Sequence, residues 1–145
     1  MKSFFKKICI SSDHAGFDLK DFIKDILIKS KIPIIDLGPF NDRSVDYPDY
    51  AKRVSKRVSS KKSEIGILVC GSGTGMAISA NKTKGIRAAV GYNIKSTQLS
   101  RRHNNANILC LGSRLTNKKD IARILSSFLN TKFEGGRHKR RVNKI

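Results

Sequence analysis

Acidic residues are scarce in this chain of 145 residues: 11 Asp and Glu face 30 Lys and Arg, for a formal net charge of +19. Cysteine occurs three times, singly, at Cys9, Cys70 and Cys110, with no C-x-x-C pair and no short Cys/His cluster. An odd count at wide spacing excludes a disulfide framework and a zinc knuckle. No pair of histidines has metal-site spacing either, so neither a metal nor another cofactor is expected. Long apolar runs are missing too: stretches such as Ile65 to Cys70 fall far short of the ~20 residues of a membrane-spanning helix. The basic opening, Met1 to Lys7, leads straight into a strand-like run without a small-residue cleavage site. A secretory signal is therefore not expected, and the cytoplasm is the default compartment.

A strongly basic balance attracts polyanions, nucleic acid among them, or anionic metabolites. Its distribution argues for a solvated surface. Lys52, Arg53, Lys56, Arg57, Lys61 and Lys62 lie on or just after a helix whose other face is apolar. No aromatics are interleaved with them as a base-stacking platform needs. Neither a membrane nor a specific nucleic acid is an expected partner.

What is present is an alternation of strand-like and helix-like runs, with no repeat. Strands are expected at Lys7 to Ser11, Ile32 to Leu37, Ile65 to Cys70, Ile86 to Gly91 and Asn107 to Leu111. Between them, Leu19, Phe22, Ile23, Ile26 and Leu27 form a helical stripe over Phe17 to Lys29. Further helices are expected from about Tyr47, within Gly73 to Ala80, and across Ile94 to His103. Asn117, with Asp120 three residues on, can cap a last one. Five such units imply a single α/β domain over residues 1–145: a Rossmann-like three-layer sandwich, its five-stranded parallel sheet covered by helices on both faces. Ligands of such sheets sit beyond the carboxyl ends of the strands.

Those ends are rich in chemical groups. Asp13 and His14 follow the first strand, Gly71-Ser-Gly-Thr-Gly75 the third and Arg114 the fifth. The glycine loop has neither dinucleotide nor P-loop spacing, but it suits an oxyanion or phosphate cradle as well as a tight turn. Cys70 abuts it. A thiol there can serve as a base or as a nucleophile partnered by His14 or His103, whereas Cys9 and Cys110 read as small buried hydrophobes. His103 is followed by two asparagines just before the fifth strand. In the tail, Arg137 and Arg141 fit either an unstructured basic end or, with Arg114, a three-arginine phosphate clamp.

The motifs together resemble a known family. Ser12-Asp-His-Ala-Gly16, Asp46-Tyr-Pro48, Cys70-Gly-Ser-Gly-Thr-Gly75 with Ala80-Asn-Lys82, Gln98-Leu-Ser-Arg101, His103-Asn-Asn105, Gly112-Ser-Arg114 and Glu134-Gly-Gly-Arg137 resemble type B ribose-5-phosphate isomerases across essentially the whole chain. That family also holds isomerases of allose and galactose 6-phosphates. The resemblance implies an aldose–ketose isomerase of the pentose phosphate pathway acting through an enediolate, with no cofactor. It implies that Cys70 moves a proton between the first two sugar carbons and that His103 opens the furanose ring. The N–H groups of Gly71, Ser72, Gly73, Thr74 and Gly75 would stabilise the enediolate. Asp13 and Asn104 would contact sugar hydroxyls, and Tyr47 would line the pocket. His14, Arg114, Arg137 and Arg141 would hold the phosphate, so that the tail, residues 134–145, completes that site. A homodimer or tetramer with sites shared between chains is implied as well.

Position 72 is Ser where many members have Thr. Some members lack the cysteine and use a glutamate just after the glycine loop; here that position is Met76, which places the chain with the cysteine-using branch. The high basicity is no requirement of the family. Competing readings are an allose- or galactose-6-phosphate isomerase and, from a different class, a basic nucleic-acid-binding α/β module.

Overall fold

A computed structural model describes residues 1–145. The elements run β1 Ile8–Ser12, α1 Phe17–Lys29, β2 Ile34–Asp36, α2 Tyr47–Ser59, β3 Ile65–Cys70, α3 Thr74–Ala80, β4 Ala88–Val90, α4 Ile94–Asn104, β5 Ile108–Gly112, α5 Lys118–Asn130 and α6 Gly136–Val142. All strands are parallel, in the order β2-β1-β3-β5-β4. The chain reverses its direction of travel across the sheet between β1 and β3, the place where such sheets open a crevice.

Alternation along the strands divides the interior in two. Ile8 and Ile10, Ile65, Ile67 and Val69, and Leu109 and Leu111 face α1 and α5. Cys9, Leu68, Cys70, Ile108 and Cys110 face α2 and α3. Helix α4 packs on α5, and α6 packs on α4. The expected three-layer arrangement is therefore present, with helices on both faces.

Local chemistry explains the helix starts. Asn93 and Ser96 close a reciprocal capping box at α4, with Ser96 N–H donating to Asn93 Oδ1 at 2.8 Å. Asn117 caps α5 as expected, accepting from Lys119 N–H at 3.0 Å.

Two strands are shorter than the pattern indicates. β2 and β4 are edge strands that pair on one side only, over three residues each. Pro33 has no N–H to extend the first of them. The tail departs more. Rather than an unstructured basic end it forms α6, and its His138 is buried.

Lys20 was not expected to matter, yet its side chain is fully buried within α1. Its ammonium pairs with Asp36 at 3.1 Å and donates to the Pro39 carbonyl, which ties α1 to the end of β2. Lys24 reaches the other oxygen of Asp36 at 2.7 Å. Burial pushes the Asp36 carboxyl up, but hydrogen bonds from Lys24, the Gly38 N–H and Lys20 outweigh it and leave the pKa lowered. A lowered folded-state pKa stabilises the fold above the unfolded value of about 4 and ceases to do so as pH falls through the folded value.

Asp36→Asn strands a buried ammonium and is expected to cost about 3 kcal/mol at pH 7. Thermal melts at pH 7 and pH 3 check this. The gap between variant and wild type should narrow at pH 3, and an equal gap at both would remove the ion pair as its cause.

Candidate active site

The carboxyl ends of β1, β3 and β5 frame a cleft of about 330 Å³. Eight residues singled out from sequence line it: Asp13, His14, Tyr47, Cys70, Gly71, Ser72, Gly75 and Arg114. Register explains the convergence, since Ser12 pairs with Val69 and Cys70 with Gly112, which brings three strand ends level. Ala15 and Leu115 also line the cleft. Neither carries a reactive group, so residue chemistry gave no signal for them; only their place beside Asp13-His14 and Arg114 could have found them.

The loops over the cleft hold one another. Ser113 N–H donates to the Cys70 carbonyl at 2.8 Å, and Arg114 N–H donates to the Gly71 carbonyl at 3.0 Å. Ser113 Oγ donates to the Ala15 carbonyl at 2.7 Å. The Arg114 guanidinium lies over Gly71, and the Tyr47 ring lies over Gly75, where a Cβ would sit 2.9 Å from ring carbons. Asp13 is buried and its carboxylate accepts from Gly16 N–H at 2.9 Å. His14 Nδ1 stands 3.2 Å from both the N–H and the carbonyl of Val45, so a single main-chain unit fixes the ring.

Cys70 is 4 % exposed, with its sulfur at the floor of the cleft. The Gly73 N–H donates to Sγ at 3.1 Å. That contact requires the left-handed backbone of Gly73, φ +79°. An N–H pointed at sulfur fixes its position and is a donor to negative charge developing on it. The N–H groups of Gly71, Ser72 and Gly75 make no hydrogen bond within the chain, while that of Thr74 is taken by Ser72 Oγ. The loop thus offers open donors beside a sulfur atom, an arrangement able to stabilise a developing oxyanion. Cys9 and Cys110 are fully buried, and burial pushes both thiols up. Met76, at the position of the alternative glutamate, is also fully buried.

Six of the residues singled out do not line this cleft: Gly73 and Thr74, which belong to the glycine loop beside it, and His103, Asn104, Arg137 and Arg141, which lie away from it. The direction of the elements explains the separation. A helix after a parallel strand runs back toward the amino edge of the sheet, so the last turn of α4 ends just before β5 begins. Cys70 lies level with the far end of β5, roughly 16 Å away along a five-residue strand. Within one chain the three arginines do not meet: Arg114 belongs to the cleft, Arg137 and Arg141 to α6. Asn104 lines a different depression, with Asn81, Arg87 and Ile145.

At the amino edge is a second cluster. His103 and His138 stack with centroids 4.2 Å apart and planes 7° from parallel. Glu134 Oε2 lies 3.7 Å from His103 Nε2 and 3.4 Å from His138 Nε2, and Arg102 binds the same carboxylate. Sequence spacing excluded a metal-binding group, yet the fold brings three donor atoms within 4.8 Å of one another. The parallel rings direct their nitrogen lone pairs along parallel planes rather than at a common point, so an ion would need one ring to turn.

A larger groove of about 780 Å³ runs beside α2, lined by Phe40, Arg53, Lys56, Arg57 and Lys62. It holds neither a cysteine nor a histidine. Its cations are the solvated face read from the sequence, with exposed Phe40 beside them.

Comparison with known proteins places these features. The sequence pattern of the Ribose/Galactose Isomerase family matches residues 8–145. The chain is 42 % identical over 140 residues to ribose-5-phosphate isomerase B of Escherichia coli, covering 97 % of this chain and 94 % of that one. It superposes on the crystal structure of the Thermotoga maritima ribose 5-phosphate isomerase with a TM-score of 0.93, at 48 % identity over 95 % of each chain. The Mycoplasma genitalium ribose-5-phosphate isomerase B, solved with bound ribulose-5-phosphate, gives 0.89 at 43 % identity, covering 94 % of this chain and 91 % of that one.

Gly73→Ala forces a left-handed backbone on a residue with a Cβ, at a cost of about 1–2 kcal/mol, and puts that Cβ 3.1 Å from the Leu111 carbonyl carbon. Its N–H should swing away from Cys70, so alkylation of the thiol by iodoacetamide at pH 7 is expected to slow. Unchanged alkylation would show that the turn does not govern the sulfur.

Proposed function

The chain belongs to the Ribose/Galactose Isomerase family, and from that premise we propose how its residues divide the work of interconverting ribose 5-phosphate and ribulose 5-phosphate. It is an aldose–ketose isomerase. The single observation that carries the assignment of roles is the Cys70 sulfur at the floor of a cleft ringed by unpaired main-chain N–H groups.

Cys70 removes the proton from the carbon next to the carbonyl and returns it to the neighbouring carbon. Between the two transfers the charge rests on an enediolate oxygen, held by the open N–H groups of Gly71, Ser72 and Gly75. Asp13 and Tyr47 orient the sugar from the walls of the cleft. The phosphate takes no part in the chemistry, but its binding fixes the reacting carbons. His14 and Arg114 hold it from this chain, Arg137 and Arg141 from a second copy.

Geometry supports a second copy. Cys70 and His103 occupy opposite edges of the sheet, so ring opening by His103 and proton transfer by Cys70 meet in one site only across a subunit contact. Ile78, Tyr92 and Leu115, on α3 and on the loops after β4 and β5, stand exposed and give such a contact an apolar component. We assign the enzyme a homodimer, open to further pairing, in the cytoplasm. No helix is long and apolar enough to cross a membrane. Residues 1–145 act as one unit whose tail, 134–145, completes the phosphate site of the partner chain.

Cys70→Ala should lower turnover of ribose 5-phosphate by about 10²-fold or more while leaving inorganic phosphate binding intact. Normal turnover would remove Cys70 as the base. A panel adding allose and galactose 6-phosphates tests the substrate, and faster turnover of either hexose would reassign it. Refolding Cys70→Ala and His103→Asn chains together should restore about a quarter of wild-type activity, because half of the sites in each mixed dimer are intact. Two inactive parents with no recovery would place each site within one chain.

A further inference from the structure

Glu134 and His138 have no task in the scheme above, yet they are the groups that surround His103. The Glu134 main-chain N–H donates to the Arg102 carbonyl at 3.0 Å, and Arg102 returns its guanidinium to Glu134 Oε1. Glu134 is thereby tied through its main chain and its carboxylate to the last turn of α4, one residue from His103. Its other oxygen, Oε2, faces the Nε2 atoms of both imidazoles. His138 is 7 % exposed and lies flat against His103. One ring face of His103 is thus covered, and its Nε2 is turned to a negative charge.

We propose that Glu134 and His138 are positioning residues for ring opening: the carboxylate sets the tautomer of His103 and receives its developing charge, and the stacked His138 ring fixes its plane. The inference rests on the reading of His103 given above. A carboxylate at Nε2 keeps a proton on that nitrogen and leaves Nδ1 as the base. Nδ1 takes the proton from the O1 hydroxyl of the furanose while the C1–O4 bond breaks and C1=O1 forms. The imidazolium then returns that proton to O4, so nothing is gained or lost. His138 does not compete for the proton: burial, then the neighbouring His103 and Arg137, lower its own pKa. The arrangement has the logic of a carboxylate orienting a catalytic imidazole, here with Arg102 fixing the carboxylate.

Ribulose 5-phosphate provides the test, because the hydroxyl that could close a five-membered ring on its carbonyl carries the phosphate. It is open-chain, and exchange of its C1 proton with solvent needs Cys70 but no ring opening. Glu134→Gln and His138→Ala should each lower kcat on ribose 5-phosphate by roughly 10- to 100-fold with KM changed less than about threefold. Deuterium uptake at C1 of ribulose 5-phosphate, followed by NMR in D2O, should stay within about twofold of wild type. His138→Phe, by contrast, keeps the stack and loses the nitrogens, so a smaller loss is expected there.

If turnover and C1 exchange fall together in both variants, Glu134 and His138 support the fold or the subunit contact, and the inference is wrong. Unchanged turnover in both also overturns it. Retained exchange certifies a folded, assembled site in each variant. A wild-type protein inactive on both sugars would instead unseat the reaction itself, an outcome distinct from either.

Discussion

A β-strand shows its side chains alternately to its two faces, and β3 spends its last position on Cys70. Because Ile65, Ile67 and Val69 point toward α1 and α5, the sulfur must point the other way, toward α2 and α3. The left-handed turn that follows then folds an N–H back onto it. Parity and turn together place the reactive atom. The loops after β1 and β5 supply what surrounds it, and they are level with it because parallel pairing keeps the strand ends in register. A slip of one residue in β3 would bury the thiol on the wrong side of the sheet and dismantle the site without touching any other functional group.

Much of this was legible in the chain itself. Apolar strands bounded by Gly, Asp and Asn, together with stripes of helical period, gave five units and both helical layers. Cys70, Asp13, His14 and the glycine loop stood out because each sits where a parallel strand stops. The edges were less legible. Whether Ile32 or Ile86 belongs to a strand depends on a neighbour's backbone rather than on the residue, and edge strands have only one neighbour. Lys20 escaped notice because a lysine inside an amphipathic stripe reads as solvent-facing until Asp36 and the Pro39 carbonyl are seen to meet it. His138 lay in what resembled a basic tail. Its burial is set by α4, which is distant in sequence.

The charge of the protein is spread unevenly over its tasks. Arg101 is largely buried, wedged between the rings of Phe5 and Phe128 and bonded to the carbonyls of Thr131 and Ala106. Burial, with Arg87 adding to it, brings its pKa down to about 10, so it stays charged at neutral pH. Its work is to fasten the end of α4, two residues before His103. Arg102 holds Glu134, and Arg87 binds the carbonyls of Asn104 and Asn105. Several cations near the amino edge of the sheet are thus structural. Those along α2 lie mostly toward solvent, although Arg53 donates to the Leu37 carbonyl and Arg57 to Ser63 Oγ.

Met76 carries a consequence for descent. Its side chain fills the interior beneath the glycine loop, among Cys70, Ala77 and Ala80. A glutamate introduced there would enter a dry, apolar space, holding its proton until the surroundings were rebuilt to solvate it. On the proposed roles, exchanging the sulfur for a carboxylate at this position would require a remodelled layer of neighbours, and this packing favours keeping the thiol.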